Sequence, residues 1–410
     1  GVEARAPTPQ PRASERAATL DELRDRIARI VGRSAPVRPR ADPTRGELPF
    51  FTEETELGDR YVRRVCSLPA ARVGRAPLFF AKSADPAVLA MLALDPALAG
   101  CDPRRALYLD TETTGLAGGT GTVPFLVGLA WFDEAANAFM LEQLLLRRLG
   151  EEAPILALVA ERVAAASMLV TYNGKSFDAP LLRARYVMNR LAAPREPPHL
   201  DLVHVARRVH GARLKARTLV AIEHEVLGRV RVNDVPGGEV VSRYAHFLRT
   251  GDEEALLGVV EHNAADVLSM VALVGLYGEP IGGLVAEDLA GAARVAKRAG
   301  DLTRAEAYAD HAVAHDGGGR AHAARADIAK ARGDRAAALL DYEAALVASA
   351  EEEHGALRLE LAKLYEHHAK AFERALELCD AGTSEDADAS EKRRARLAKK
   401  LARVAARASG

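Results

Sequence analysis

The chain has 410 residues, 49% of them hydrophobic and only 5% aromatic. It is long enough for more than one domain, with cores built mainly from Ala, Leu and Val. A formal net charge of −1 excludes a globally basic nucleic-acid binder, so any such surface has to be local.

Three cysteines, Cys66, Cys101 and Cys379, stand far apart and form no metal-ligand spacing. They point to reduced thiols and a cytoplasmic location. No run of membrane-spanning length and no signal peptide is visible, which predicts no membrane association. The first residue is Gly1 rather than Met, which leaves an upstream targeting segment open.

Residues 1–46 form an N-terminal segment. Positions 1–13 are rich in Pro, Ala and Arg and are expected to be disordered. One amphipathic helix follows. Thr19 and Glu22 have capping-box spacing, Leu20, Leu23, Ile27 and Ile30 make one stripe, and Gly32 is its stop. Pro36, Pro39 and Pro43 then make an extended linker. Residues 47–100 hold short apolar pieces and a helix around Pro86–Leu94, and are expected to pack on the domain that follows.

The stretch 101–280 carries the chemistry. Ala106–Leu109 is a short apolar run that predicts a buried strand ending in Asp110 and Glu112. Side chains alternate along a strand, so these two carboxylates share a face. Two acids so close repel unless a cation lies between them, and hard oxygen ligands suit magnesium or manganese. Thr122–Phe132 and Ala138–Leu146 complete an antiparallel meander. A helix, Pro154–Ala166, leads to a fourth strand, Met168–Tyr172. Asn173-Gly-Lys-Ser-Phe-Asp178 follows, then a helix from Pro180 and a fifth strand near His199–Val203. Strands first, then strand–helix alternation, predict a mixed α/β sheet flanked by helices. The Gly-rich loop Gly115–Gly121 lacks the Lys of a phosphate-binding loop and joins two strands, so it reads as a turn. Val259, Val260, Val267, Met270, Val271 and Val274 mark a long buried helix, with His262 and Asp266 four apart on one face.

Asp110-Thr-Glu112-Thr-Thr-Gly-Leu, Tyr172-Asn-Gly-Lys-Ser-Phe-Asp178 and His262-Asn-Ala-Ala-Asp266 together resemble the three motifs of the DEDD, or DnaQ-like, 3′–5′ exonucleases. The Gly-Gly-Thr-Gly-Thr stretch and the layout resemble the bacterial YprB-type ribonuclease-H-like proteins. The resemblance implies a ribonuclease-H-like fold with a mixed five-stranded sheet. It also implies a metal-dependent phosphodiesterase with two ions, Mg²⁺ or Mn²⁺, about 3.5–4 Å apart. Asp110, Glu112 and Asp266 would hold one ion, Asp110 would share the second, Asp178 would assist, and His262 would be the general base. Relatives carry either a Tyr four residues before the last Asp or a His five before it, whereas here a His stands at the Tyr spacing.

On the substrate side, Arg183, Arg185, Arg190, Arg195, Arg207, Arg208, Arg213, Lys215 and Arg217 form a local basic band. It is either a solvated face or a groove for a nucleic-acid backbone. Thr113, Thr114, Tyr172, Asn173 and Lys175 are candidates for contacting the terminal nucleotide, with Arg183 and Arg185 beside them. The substrate class is single-stranded DNA or RNA.

Residues 281–382 are Ala-rich, and Ala299-Gly-Asp-Leu-Thr-Arg-Ala-Glu-Ala-Tyr308 recurs from Arg332 to Tyr342. A looser copy has His367 in the Gly place. This all-α stretch resembles tetratricopeptide repeats, which implies either a protein-partner surface or a packing extension. Residues 383–410 form a basic tail or helix that either touches nucleic acid or is merely solvated. Two rivals to the exonuclease stand beside it: a structure-selective nuclease or ribonuclease of the same fold, and a catalytically silent scaffold.

Overall fold

The computed structural model describes residues 48–68, 70–115, 121–232 and 234–408. The expected N-terminal helix and Pro-rich linker, and most of the Gly-rich loop, lie outside the described residues. The chain divides into two compact units, Gly1–Pro49 with Val235–Val259, and Phe50–Asp234 with Val260–Gly410.

The second unit is built on a seven-stranded mixed sheet. Its strands are β1 (Phe51–Glu53), β2 (Arg60–Cys66), β5 (Ala106–Thr113), β6 (Pro124–Asp133), β7 (Ala138–Leu145), β8 (Met168–Thr171) and β9 (His199–Asp201). Their spatial order is β1-β2-β7-β6-β5-β8-β9. A separate ribbon pairs β3 (Arg72–Val73) with β4 (Ala76–Pro77). The five expected strands are all present, and β1 and β2, from the stretch expected only to pack on the sheet, extend its edge through β7. β5 lies inside the sheet, antiparallel to β6 and parallel to β8. Ala106, Leu107, Tyr108 and Leu109 are all buried, so the strand is anchored up to the point where Asp110 begins the polar end. The register sets Asp110 opposite Gly128, and a bulge follows between Glu112 and Thr113.

In chain order the first helices are α1 (Pro86–Ala93), α2 (Ala153–Ala165), α3 (Asp178–Met188), α4 (Leu202–Val209) and α5 (Leu219–Ile222). The predicted helix after the fourth strand starts at Asp178, two residues ahead of Pro180, so Asp178 lies in its first turn. In the first unit, α6 (Gly237–Thr250) stacks Tyr244 on Phe247, and the Leu48 amide donates to Glu253 Oε2 at 2.9 Å.

The helix α7 (Glu254–Gly278) begins in the first unit and continues through the second. It corrects one expectation, since it is long and apolar enough to cross a membrane, although 61% of its most apolar window is buried within the protein. Such burial is what a core helix shows.

After α7 the chain is helical: α8 (Pro280–Gly283), α9 (Ala286–Ala299), α10 (Leu302–Ala314), α11 (Gly318–Arg332), α12 (Arg335–Ala348), α13 (Glu351–Leu364), α14 (Phe372–Asp380) and α15 (Ala387–Ala408). Gly300 and Gly333, the two matching glycines, end α9 and α11 in the left-handed region with φ of 86° and 87°. In the looser copy that conformation falls on Lys370, with φ of 57°, rather than on His367. A single hydrophobic core runs from the sheet through α1, α4 and α7 into α9, α10 and α11, so the packing continues without a break across position 280. A smaller second core joins α11 to α15.

The basic tail forms the helix α15, most of it exposed, but one part of it turns inward. Arg393, Arg396 and Lys400 of α15 turn inward onto the fully buried Glu366, at 3.2, 2.7 and 2.8 Å. These partners, Arg396 first, hold the Glu366 carboxyl down at about 2.

Candidate metal centre

Three elements deliver acids to one place. β5 presents Asp110 and Glu112 at its polar end, α3 presents Asp178 in its first turn, and α7 presents His262 and Asp266 one helical turn apart. The tightest group is Glu112, His262 and Asp266, whose ligand atoms all lie within 4.8 Å of one another. His262 Nε2 is 3.9 Å from Glu112 Oε1 and 3.6 Å from Asp266 Oδ2. Asp178 stands beside this trio and is 8% exposed; its Oδ1 accepts a 2.5 Å hydrogen bond from the Thr111 hydroxyl.

Asp110 is held from α7. Asn263 Nδ2 donates to Asp110 Oδ2 at 2.8 Å, and Gln143 Nε2 donates to Asn263 Oδ1 at 2.9 Å. Gly128 makes this possible. A Cβ at that position would lie 2.2 Å from Asn263 Oδ1, so only glycine lets α7 approach the sheet this closely.

The electrostatics are those of acids with too little counter-charge. Burial raises the Asp110 carboxyl well above the usual carboxylate range, and Asp266, Asp178 and Glu112 add to the shift. Burial likewise pushes Glu112 up to about 7, partly opposed by His262. Asp178 rises to about 6 through burial, against the Thr111 hydroxyl. Burial raises Asp266 too, despite Arg231 and His262. For His262, burial favours the neutral ring, but Asp266, Asp234 and Glu112 outweigh it and hold the imidazole above its ordinary value. Buried carboxylates that hold protons near neutrality, with hard oxygen donors, suit a divalent cation such as Mg²⁺ or Mn²⁺. The residues therefore fit the metal that the motifs imply.

Several contacts escaped sequence reasoning. Arg231, 5% exposed, pairs with Glu223, Asp234 and Asp266. Asp234 Oδ1 lies 2.6 Å from His262 Nδ1. Arg231 and Asp234 sit in an irregular stretch with no periodicity, and their only signal is charge density. Asn263 was in view inside the third motif, but nothing in one sequence tells its side chain from a helix-surface amide.

The expected substrate contacts divide. Thr113 Oγ1 donates to the Gly115 carbonyl at 2.9 Å, and Thr114 Oγ1 accepts from the Val123 amide at 3.0 Å, so both close the turn after β5. The Tyr172 hydroxyl donates to the Arg217 carbonyl at 2.5 Å. Asn173, with φ of 67°, and Lys175 donate their amides to the Asp201 carboxylate at 2.6 and 3.0 Å. Arg183 is clamped by Glu196. Arg185 must be corrected. It is 7% exposed and its guanidinium pairs with Glu152, so it is a buried brace between α3 and the start of α2 and has no access to a substrate.

Comparison with known proteins agrees with this geometry. Residues 107–277 match the family described as RNase_H superfamily. An uncharacterized protein, YprB, of Bacillus subtilis (strain 168) is 38% identical over 176 residues, 42% of this chain and 42% of that protein. The match thus spans well under half the length of this relative. The matched stretch contains Asp110, Glu112, Asp178, His262 and Asp266.

Proposed function

We propose that this chain is a divalent-metal-dependent 3′–5′ exonuclease that hydrolyses phosphodiester bonds at single-stranded nucleic-acid ends. The observation that carries the reading is the meeting of Asp110, Glu112, Asp178 and Asp266 with His262 at the end of one inner strand and the start or face of two helices. Each acid is raised by burial. Glu112, Asp266 and Asp110 would hold one Mg²⁺ or Mn²⁺ ion, and Asp110, assisted by Asp178, the second. Bound there, divalent cations lower the pKa of water and stabilise charge on the attacking and leaving oxygens.

The chain's own residues do the rest. His262 offers Nε2 as the proton acceptor, because Nδ1 is engaged by Asp234. Asn263 fixes Asp110 through one oxygen and leaves the other to a ligand. The Asp201 carboxylate holds the Asn173–Lys175 backbone in place for a substrate terminus. The helices from α9 onward form helix-turn-helix pairs that we assign to tetratricopeptide-like repeats, available to a protein partner beyond their packing role. Three unpaired cysteines fit a reducing compartment, and we place the protein in the cytoplasm.

The test is purified protein on end-labelled single- and double-stranded DNA and RNA, with Mg²⁺, Mn²⁺ or EDTA. The expected result is metal-dependent release of mononucleotides from single-stranded 3′ ends. Internal cuts at junctions or hairpins would establish the structure-selective alternative. No cleavage under any condition would leave the scaffold.

A further inference from the structure

The basic band following the second motif is not one surface, and the fold sorts it. Arg183 is taken by Glu196, Arg185 by Glu152 and Arg213 by Asp288. Arg208 donates to the carbonyls that end α1. Arg207 and Lys215 are exposed without an acidic partner among the described residues, as are Arg190 and Arg195, but only Arg207 and Lys215 line the cavities described next. Arg217 is intermediate. Its Nη2 donates to the Gly211 carbonyl at 2.8 Å, while its Nε is buried without a hydrogen-bond partner.

These three cations line two cavities that share Thr218 as their common wall. One, of about 480 Å³, is lined by Tyr172, Asn173, Val203, Arg207 and Arg217. The other, of about 760 Å³, runs past Lys215 and Arg229 and ends at Arg231 and Asp234. Arg231 and Asp234 are the residues that touch Asp266 and His262. The lining of the second cavity thus includes residues next to the candidate metal centre, together with the acid Glu225, and the lining of the first includes Asn173 of the loop after β8.

Resting on the nuclease reading above, we propose that the two cavities together form the track for the substrate strand, with Arg207, Lys215 and Arg217 contacting backbone phosphates upstream of the cleaved bond. Charge favours that occupant, because Arg207 and Lys215 bring exposed cations without acid partners to these cavities, and a phosphate chain supplies one anion per nucleotide. Contacts of this kind hold any sequence alike, and each one adds about 0.7 to the magnitude of the log–log salt slope for a single strand.

The experiment uses the full chain in EDTA, so that binding is read without cleavage, with fluorescein-labelled oligo(dT) and oligo(U) and anisotropy measured over a salt series. Arg207→Gln with Lys215→Gln is expected to weaken binding to both probes and to flatten the slope by about 1.4. Arg183→Gln, whose partner is Glu196, is expected to leave the slope unchanged. If the parent binds with a steep slope and the double variant matches it, or if Arg183→Gln flattens it equally, the track is elsewhere while the nuclease reading stands. If the parent binds neither probe, the nuclease reading falls and the track falls with it.

Discussion

Glu112→Gln gives the sharpest test of the metal centre, because it should move stability in opposite directions with and without metal. Burial and neighbouring acids raise the Glu112 carboxyl from an ordinary 4.5 to about 7. A raised folded-state value means that the folded protein holds this proton more tightly than the unfolded chain. The group therefore costs nothing below about pH 4.5 and its full penalty above about pH 7. At 1.36 kcal/mol per pH unit, the penalty in the metal-free protein at pH 8 is about 3 kcal/mol. The side chain is only 14% exposed, so solvent screening removes little of it. A neutral amide escapes this cost. At pH 8 in EDTA, Glu112→Gln should therefore melt several degrees above the parent, and at pH 4.5 the two should coincide. Saturating Mg²⁺ at about a hundred times its dissociation constant would return about 2.7 kcal/mol to the parent. The variant, lacking a ligand, should show a much smaller gain. The assay is thermal melting at pH 4.5, 6 and 8, with EDTA or Mg²⁺. A variant no more stable than the parent at pH 8 without metal, or one with an undiminished Mg²⁺ response, would refute the reasoning.

Three further outcomes are expected. His262→Ala should lower the cleavage rate by roughly 10²–10⁴-fold with metal-induced stabilisation nearly intact, while His262→Tyr retains substantial activity; equal rates for parent and His262→Ala across pH 6–9 would make His262 structural. Because the ring must be neutral to accept a proton, the parent's rate should rise with pH through one titration, and that limb should vanish in His262→Ala. Gly128→Ala should push Asn263 off Asp110, since the new Cβ would sit 2.2 Å from Asn263 Oδ1; metal affinity by calorimetry should fall about 10–100-fold while circular dichroism stays native. Asp288→Ala should cost about 3–5 kcal/mol in chemical unfolding, because it removes the buried carboxylate that Arg213 and His210 share and leaves Arg213 only the more distant Glu225; a loss under 1 kcal/mol would show that these pairs add nothing.

The order of strands and helices was legible because apolar runs and alternation report burial directly. Ala106–Leu109 and Met168–Thr171 are continuous buried runs, as inner strands flanked on both faces should be. β1 and β2 escaped notice because they carry the opposite signal. β2 is Arg-Tyr-Val-Arg-Arg-Val-Cys, with a single fully buried residue, Val62, and its arginines are used by Glu53, Glu142, Gln143 and Glu261. A strand near the sheet edge that is stabilised through ion pairs looks like a surface loop in sequence. The acids of the site were legible because Asp110, Glu112 and Asp178 sit where a regular element ends or begins, and Asp266 interrupts the apolar pattern of a long helix. Arg231 and Asp234 were not, because their position depends on the irregular stretch after α5 and leaves no periodic trace. The error on Arg185 has the same root: a run of arginines does not reveal which of them has a buried glutamate across the fold.

One buried histidine shows why the helical tail and the site should be considered together. His210, fully buried at the end of α4, contacts Tyr277 on α7 at 2.9 Å through Nε2 and Asp288 on α9 at 2.9 Å through Nδ1. Next to it, Gly291 of α9 lies against the Val209 carbonyl so closely that a Cβ would come within 1.9 Å. These contacts lock three helices with different duties. α7 carries His262 and Asp266. α4 begins at Asp201, whose carboxylate holds the Asn173 and Lys175 amides. α9 opens the helical tail. A displacement of α9 therefore cannot leave α4 and α7 where they are without emptying a packed core or stranding Asp288 and Arg213, each a cost of several kcal/mol. The first helices of the tail thus act as part of the scaffold that fixes the distance between the acids on α7 and the loop after β8.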